Sequence, residues 1–383
     1  MRKSVAVAAF AVCLAAVAEP VLAIPAFARR YSVDCNFCHD IYPKLTAMGA
    51  QFKDNGFRMP NEPDFDASKW IKSVPISGRA TGTNYFFEGD DLTYLYMKGI
   101  SAGNLGSRLS YWVDDAFIIQ DSDDGDDFTH VEPDTAWARV EIVRGGGLYA
   151  KGGRLELDIP FTQTRTPHLL PYDIYFANTG SESDSIARYQ DGVEVGGHVS
   201  GGFHWSAAVV ARHNDGNGVS DFGNVFLRLA KRADGNRFGA FGYFGKSQLG
   251  TGDQDFQDSY YRVGADADLR FGRMNLYGVY MYGSNDNSIA TGAQPGGTNE
   301  SLSFHGGFVQ GDYHLAEPFA LTLRWNFVDQ PPPGTADPKR WEQSLVPGAQ
   351  VWLLSHRLKL SFEWAFQNLD RSDYGAVQAE VAF

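Results

Sequence analysis

From residue 72 to residue 383 apolar and polar residues alternate. Phe319, Leu321, Leu323, Trp325 and Phe327 alternate with Ala320, Thr322, Arg324 and Asn326. Leu358, Leu360, Phe362, Trp364 and Phe366 alternate with Lys359, Ser361, Glu363 and Gln367. At the end of the chain Val377, Ala379, Val381 and Phe383 alternate with Gln378, Glu380 and Ala382. Side chains on a strand point to opposite faces in turn, so this pattern predicts strands with one apolar face. No apolar run approaches the ~20 residues of a membrane helix.

The connections decide between a soluble sandwich and a membrane barrel. Long links fall near 121–134, 160–190, 213–223, 246–258, 283–300 and 329–339. Short ones fall at Arg144-Gly145-Gly146, Gly201-Gly202, Ala233-Asp234-Gly235-Asn236, Gly272-Arg273, Ala316-Glu317-Pro318 and Ser355-His356. Near Gly89 and Asp370 the outer loops come out short. Short turns on one side and long loops on the other are the transmembrane-barrel pattern, and it places both termini on the short-turn, periplasmic side. The expected fold is all-β: an outer-membrane barrel of about 16 antiparallel strands, wide enough for an aqueous lumen. An aromatic content of 14% fits interfacial girdles. The terminal Phe383 has the form of a carboxy-terminal barrel signal. A secreted β-sandwich of this size without disulfides would be unusually large.

The amino terminus breaks the pattern. Residues 1–23 read as a secretory signal: Arg2 and Lys3, an alanine-rich apolar run, then Val21-Leu22-Ala23. Cys13 leaves with it, and Phe10-Ala11-Val12 is a poor lipoprotein context. Residues 24–71 form a separate small module and linker. Pro43 suits a first helical turn, Leu45, Met48 and Phe52 make one apolar stripe, and Asn55-Gly56 is a C-terminal stop. Pro60 and Pro63 exclude further helix.

That module holds Cys35-Asn36-Phe37-Cys38-His39, a Cys-x-x-Cys-His motif that reads as a c-type haem attachment site. The two thiols would form thioethers and His39 would be the proximal ligand. Zinc needs four N or S ligands, and a thioredoxin-like thiol pair needs a βαβ context; neither is present in the sequence. Met59, just past the helix stop, is the favoured second axial ligand. Met48 on the helix stripe is its rival, with water, an open position or a histidine as further alternatives. His198, His204 and His213 lie on two adjacent strands. A module this short needs the haem in its core and cover from the rest of the chain, with Phe52 and Phe57 packing against the barrel.

The net charge is −13. Asp121, Asp123, Asp124, Asp126 and Asp127 crowd one outer loop, followed by Glu132 and Asp134. This is a solvated acidic surface or a weak divalent-cation attractor, and a poor match to a calcium loop. Arg139, Glu141, Arg228, Arg324 and Glu363 are expected to face the lumen and tune its polarity. There is no Ser/His/Asp set, no phosphate-binding glycine loop and no basic stripe for nucleic acid.

Residues 24–59 resemble the start of the fused monohaem cytochrome–porins, the outer-membrane iron-oxidising cytochromes. The matching positions are Pro25, Phe27-Ala28-Arg29, Cys35-x-x-Cys38-His39, Pro43-x-Leu45-Thr46, Gly49, Phe52-Lys53, Gly56-Phe57 and Met59. Tyr31-Ser32-Val33-Asp34 and Met48 depart from the family pattern. The resemblance implies one haem c on Cys35, Cys38 and His39, favours Met59 opposite, and implies a barrel in outer-membrane lipid. The expected function is outer-membrane electron transfer: oxidation of extracellular Fe(II) and passage of the electron to a periplasmic c-type cytochrome. As an enzyme this would be an Fe(II):cytochrome c oxidoreductase that supplies no acid, base or nucleophile. The alternatives are a diffusion porin with the haem as plug or redox sensor, and electron export to an outer acceptor.

Overall fold

The computed structural model describes residues 26–41, 44–59, 76–87, 91–121, 129–130, 134–161, 168–177, 186–187, 189–211, 222–249, 256–286, 301–331, 340–353, 357–368 and 372–382. The signal segment, Pro43, Pro60, Pro63, His213, His356, Phe383 and residues 122–128 of the acidic loop lie outside them.

Three helices come first: α1 (Ala26–Tyr31), α2 (Cys35–Cys38) and α3 (Ala47–Asp54). Strands follow: β1 (Ile76–Phe86), β2 (Asp91–Asn104), β3 (Leu109–Asp121), β4 (Thr129–His130), β5 (Thr135–Val143), β6 (Leu148–Glu156), β7 (Tyr189–Val199), β8 (Phe203–Ala211) and β9 (Phe222–Ala233). The rest are β10 (Asn236–Leu249), β11 (Phe256–Phe271), β12 (Met274–Asn285), β13 (Leu302–Ala316), β14 (Phe319–Gln330), β15 (Arg340–Leu353), β16 (Leu358–Gln367) and β17 (Tyr374–Ala382). Each pairs antiparallel with its sequence neighbours, and β1 pairs with β17 from Arg79↔Ala382 to Phe86↔Gly375. The sheet is therefore a closed barrel. The two-residue β4 and β5 both pair with β3 in one strand position, so the described strands fill sixteen positions.

The alternation read from the sequence sets the two faces. On β14 Leu321, Leu323 and Trp325 are exposed outward while Thr322, Arg324 and Asn326 are buried inside. On β9 Val225, Leu227 and Leu229 face out and Asn224, Phe226, Arg228 and Ala230 face in. Exposed rings form two groups, Phe203, Phe238, Phe271 and Tyr313 near the short turns and Phe222, Tyr261, Tyr282, Trp341 and Phe366 near the long connections. An apolar band between two aromatic girdles suits a bilayer. The described short turns stand where expected. At the β9–β10 turn Asp234 (φ 52°) and Gly235 (φ 81°) both adopt positive φ, as a two-residue hairpin turn requires.

The lumen differs from expectation. The link 160–190 reads as an outer loop, yet its described parts turn into the barrel. Leu157 and Ile159, just before it, and Tyr172, Ile174 and Tyr175 within it pack against inward-facing Phe226, Tyr243, Tyr277, Phe304 and Phe308. Together they form an apolar core, and these side chains fill lumenal space expected to hold water.

Lumenal charges also do more than set polarity, because they are paired. Arg228 meets Asp266 at 2.5 Å and Arg324 meets Glu363 at 3.6 Å. Glu363 also accepts from the backbone N–H of Leu170 at 3.0 Å. That bond, and one donated by Arg324 to the Leu170 carbonyl at 2.9 Å, tie the inserted segment to the wall.

Candidate functional site

Residues 26–41 and 44–59 sit inside the short-turn end of the barrel. The single helical turn α2 carries both cysteines, and His39 follows as its C-cap. His39 forms a β-bridge with Leu45. This shortens α3 relative to the stripe read from the sequence. Thr46 becomes the N-cap, its Oγ1 accepting from the Gly49 N–H at 3.1 Å, and Leu45 lies before the helix rather than on it. Thr46 Oγ1 also donates to the Phe37 carbonyl at 3.0 Å. Gly49 lies where a Cβ would come within 2.0 Å of the Cys38 carbonyl oxygen, so only glycine lets α3 rest on the motif. Gly56 (φ 64°) and Phe57 (φ 61°) then turn the chain, and the Phe57 N–H closes on the Phe52 carbonyl at 2.9 Å.

Past the turn, Phe57 and Met59 border the same space as the motif. Cys35, Cys38, His39 and Met59 all line one cavity of about 570 Å³. Met48 does not line it. Its apolar wall joins module and barrel: Phe52, Phe57 and Ala102 are buried together, with Phe27, Tyr31, Met59, Trp112 and Trp137 packed on them. Phe57 lies 5.7 Å from Trp112 and 5.9 Å from Trp137, ring centre to ring centre. The expectation that Phe52 and Phe57 pack toward the barrel therefore holds. The two tryptophans face each other across β3 and β5. They occupy positions of the same parity as lumenal Ser110, Asp114, Arg139 and Glu141. That break in polar parity is legible in the sequence.

Ion pairs seat the module. Arg58 pairs with Glu141 at 2.5 Å, and Lys44 pairs with Asp268 at 3.1 Å. Asp54 pairs with Arg232, and the Asp54 carbonyl accepts from Arg139 at 2.6 Å. Asp40 meets His314 at 3.0 Å, and Asn36 donates to Glu317 at 2.9 Å. Burial pushes the Asp54 carboxyl up, but Arg232, with His198 and His204, outweighs it and holds the group below its ordinary value.

The residues fit a c-type haem. The two thiols are free and sit side by side on one turn with His39 adjacent. Burial pushes both thiols up, with Asp34 adding to the effect at Cys35. This is the reverse of what a reactive thiol redox pair needs. Among the described residues no group of three or more His, Cys, Asp or Glu is placed to hold a metal ion. A cavity this large, aromatic on one side, suits a flat apolar macrocycle. Lys98 and Lys151, on its wall, are cations that could face carboxylates, and each already has an acidic neighbour, Asp114 at 3.2 Å and Glu194 at 2.8 Å. His204 also lines the cavity, with its Nε2 3.1 Å from Asp158; His198 stacks on it at 4.7 Å and does not line the space.

The strands define a class of fold: a sixteen-position closed antiparallel barrel that resembles those of outer-membrane porins. Solved structures agree. An anion-selective porin from Comamonas acidovorans superposes with TM-score 0.58 at 14% identity, over 80% of this chain and 98% of that one. The outer-membrane channel DcaP of Acinetobacter baumannii gives 0.57 at 11% identity, over 80% and 96%. A loop-deleted OmpT of Vibrio cholerae gives 0.54 at 14% identity, over 80% and 98%. No family model and no curated protein matches the sequence.

Proposed function

We propose that this chain is an outer-membrane electron-transfer barrel carrying one haem c. The observation that carries this reading is the convergence of Cys35, Cys38, His39 and Met59 on one cavity inside the lumen. Cys35 and Cys38 would hold the group covalently, and His39 and Met59 would supply ligands to its iron. Haem so bound supplies a one-electron couple, whose potential a Met/His pair raises. The chain's own work is to bind, orient and keep water out. Phe52, Phe57, Trp112 and Trp137 exclude solvent from one side, and the ion pairs at Asp54, Arg58 and Lys44 hold the module against the wall. Extracellular Fe(II) is the proposed donor and a soluble periplasmic c-type cytochrome the proposed acceptor.

Spectroelectrochemical titration of detergent-solubilised protein, with Met59→Ala beside wild type, tests the reading. A positive potential that falls sharply in the mutant supports it. Absence of covalent haem, or no electron exchange with Fe(II)/Fe(III) couples, sinks it.

A second reading is a diffusion porin with the module as plug, favoured by the fold shared with porins and an outer-membrane channel. Single-channel conductance separates the two. A large steady pore supports the porin and a near-closed barrel the conduit.

A further inference from the structure

Phe161 and Lys44 both line the cavity at Cys35, Cys38 and His39. Behind them a run of aromatic rings leads away from it through the inserted segment. Phe161 lies 4.4 Å from Tyr277 and 6.1 Å from Phe308, centre to centre. Phe308 stacks on Tyr172 at 4.1 Å with planes 21° apart, and Tyr172 lies 6.1 Å from Tyr175. Tyr277, Phe308, Tyr172 and Tyr175 are each no more than 2% exposed. The run ends on the 3₁₀ turn Asp173–Phe176, whose Phe176 ring is 42% exposed.

The run has a direction along the barrel axis. Tyr277 lies near the short-turn end of β12, and Phe308 lies midway along β13. The Asp173 carboxylate accepts from Ser344 Oγ at 3.3 Å, near the long-loop end of β15. The rings therefore rise from the cavity toward the long-loop side. Structural packing explains why such rings are buried. It says nothing of their order, in which each ring from Phe161 through Phe308 and Tyr172 to Tyr175 meets the next between the cavity and the turn that carries Phe176.

We propose that Phe161, Tyr277, Phe308 and Tyr172 form the electron path between the long-loop side of the barrel and the cavity. This rests on the haem reading above. Touching π systems carry electronic coupling further than saturated side chains or water gaps of the same length. One electron leaves a ferrous ion outside, which becomes ferric, and arrives at ferric haem iron, which becomes ferrous. The rings are neither oxidised nor reduced, and no proton moves.

The test uses the full-length holo-protein with a ruthenium polypyridyl label on Phe176→Cys and, separately, on the short-turn residue Arg144→Cys. Flash-induced haem reduction is followed by absorbance, with haem content and midpoint potential measured beside it. With the Phe176 label, Tyr172→Leu and Phe308→Leu are expected to slow injection several-fold, while Tyr172→Phe keeps the rate. With the Arg144 label neither leucine variant changes it, and the potential stays put throughout. An unchanged rate from the Phe176 label in both leucine variants overturns the path. If a leucine variant does not fold, Phe308→Met, which keeps the volume and loses the ring, reads the same step. Wild-type protein without covalent haem overturns the haem reading itself, a different failure.

Discussion

Two segments fill this barrel, and they are built on opposite rules. The inserted segment between β6 and β7 is held mainly by apolar packing, with Tyr172, Ile174 and Tyr175 almost fully buried against the wall. The amino-terminal module is held largely by charge: Arg58 to Glu141, Asp54 to Arg232, Lys44 to Asp268. It lines the cavity of about 570 Å³ along its length, where the described residues of the inserted segment reach that cavity only at their start, through Phe161. Dry packing seals. Peripheral ion pairs position a body while leaving room within it. A segment whose task is to close a lumen and a module whose task is to hold a guest call for these different devices.

The contrast can be broken from either side. The largest effect is expected at the motif: Cys35→Ser with Cys38→Ser abolishes covalent haem, read as loss of haem staining on denaturing gels, while the barrel still forms and the inserted segment stays seated. Next, Phe308→Ala should cost about 3–5 kcal/mol as a cavity in a packed core. Denaturant unfolding measures it, and conductance should rise while haem content holds. On the module side Glu141→Ala takes the carboxylate away from Arg58 and Arg139 and should cost about 3 kcal/mol. Hydrogen exchange should then rise in residues 47–59 and not in 169–177. A smaller loosening follows from acid. The Asp54 carboxyl is held below its ordinary value, so its contribution is present above that value and fades as pH falls through the lower, folded one. Exchange in 47–59 should accelerate in that window, and Arg232→Leu should flatten the dependence. The smallest effect is Thr46→Ala, which removes the α3 cap for about 1 kcal/mol. If all five acted equally on both segments, the division between them would be wrong.

The barrel was legible because strand periodicity and turn chemistry are local. Leu321, Leu323 and Trp325 declare a face by spacing alone, and Asp234-Gly235 declares a hairpin. The motif was legible for the same reason. The inserted segment was not. Leu169, Leu170, Tyr172, Ile174 and Tyr175 have no steady period, and whether they turn in or out depends on Phe226, Tyr277 and Phe308, far away in the chain. The start of α3 shifted because His39 recruits Leu45 into a bridge, a pairing that residue order does not announce. The roles of Trp112 and Trp137 needed only a check of strand parity.

The join of β1 to β17 has a temporal consequence. It brings together the first and last strands of the ring, so it can form only after every strand between them exists. Such distant pairing is slow to find. Until then the two unpaired strand edges remain open to other chains. The segment between β6 and β7 packs on Phe226, Tyr243, Tyr277, Phe304 and Phe308, side chains that share one enclosed lumen only once that seam has joined the ring.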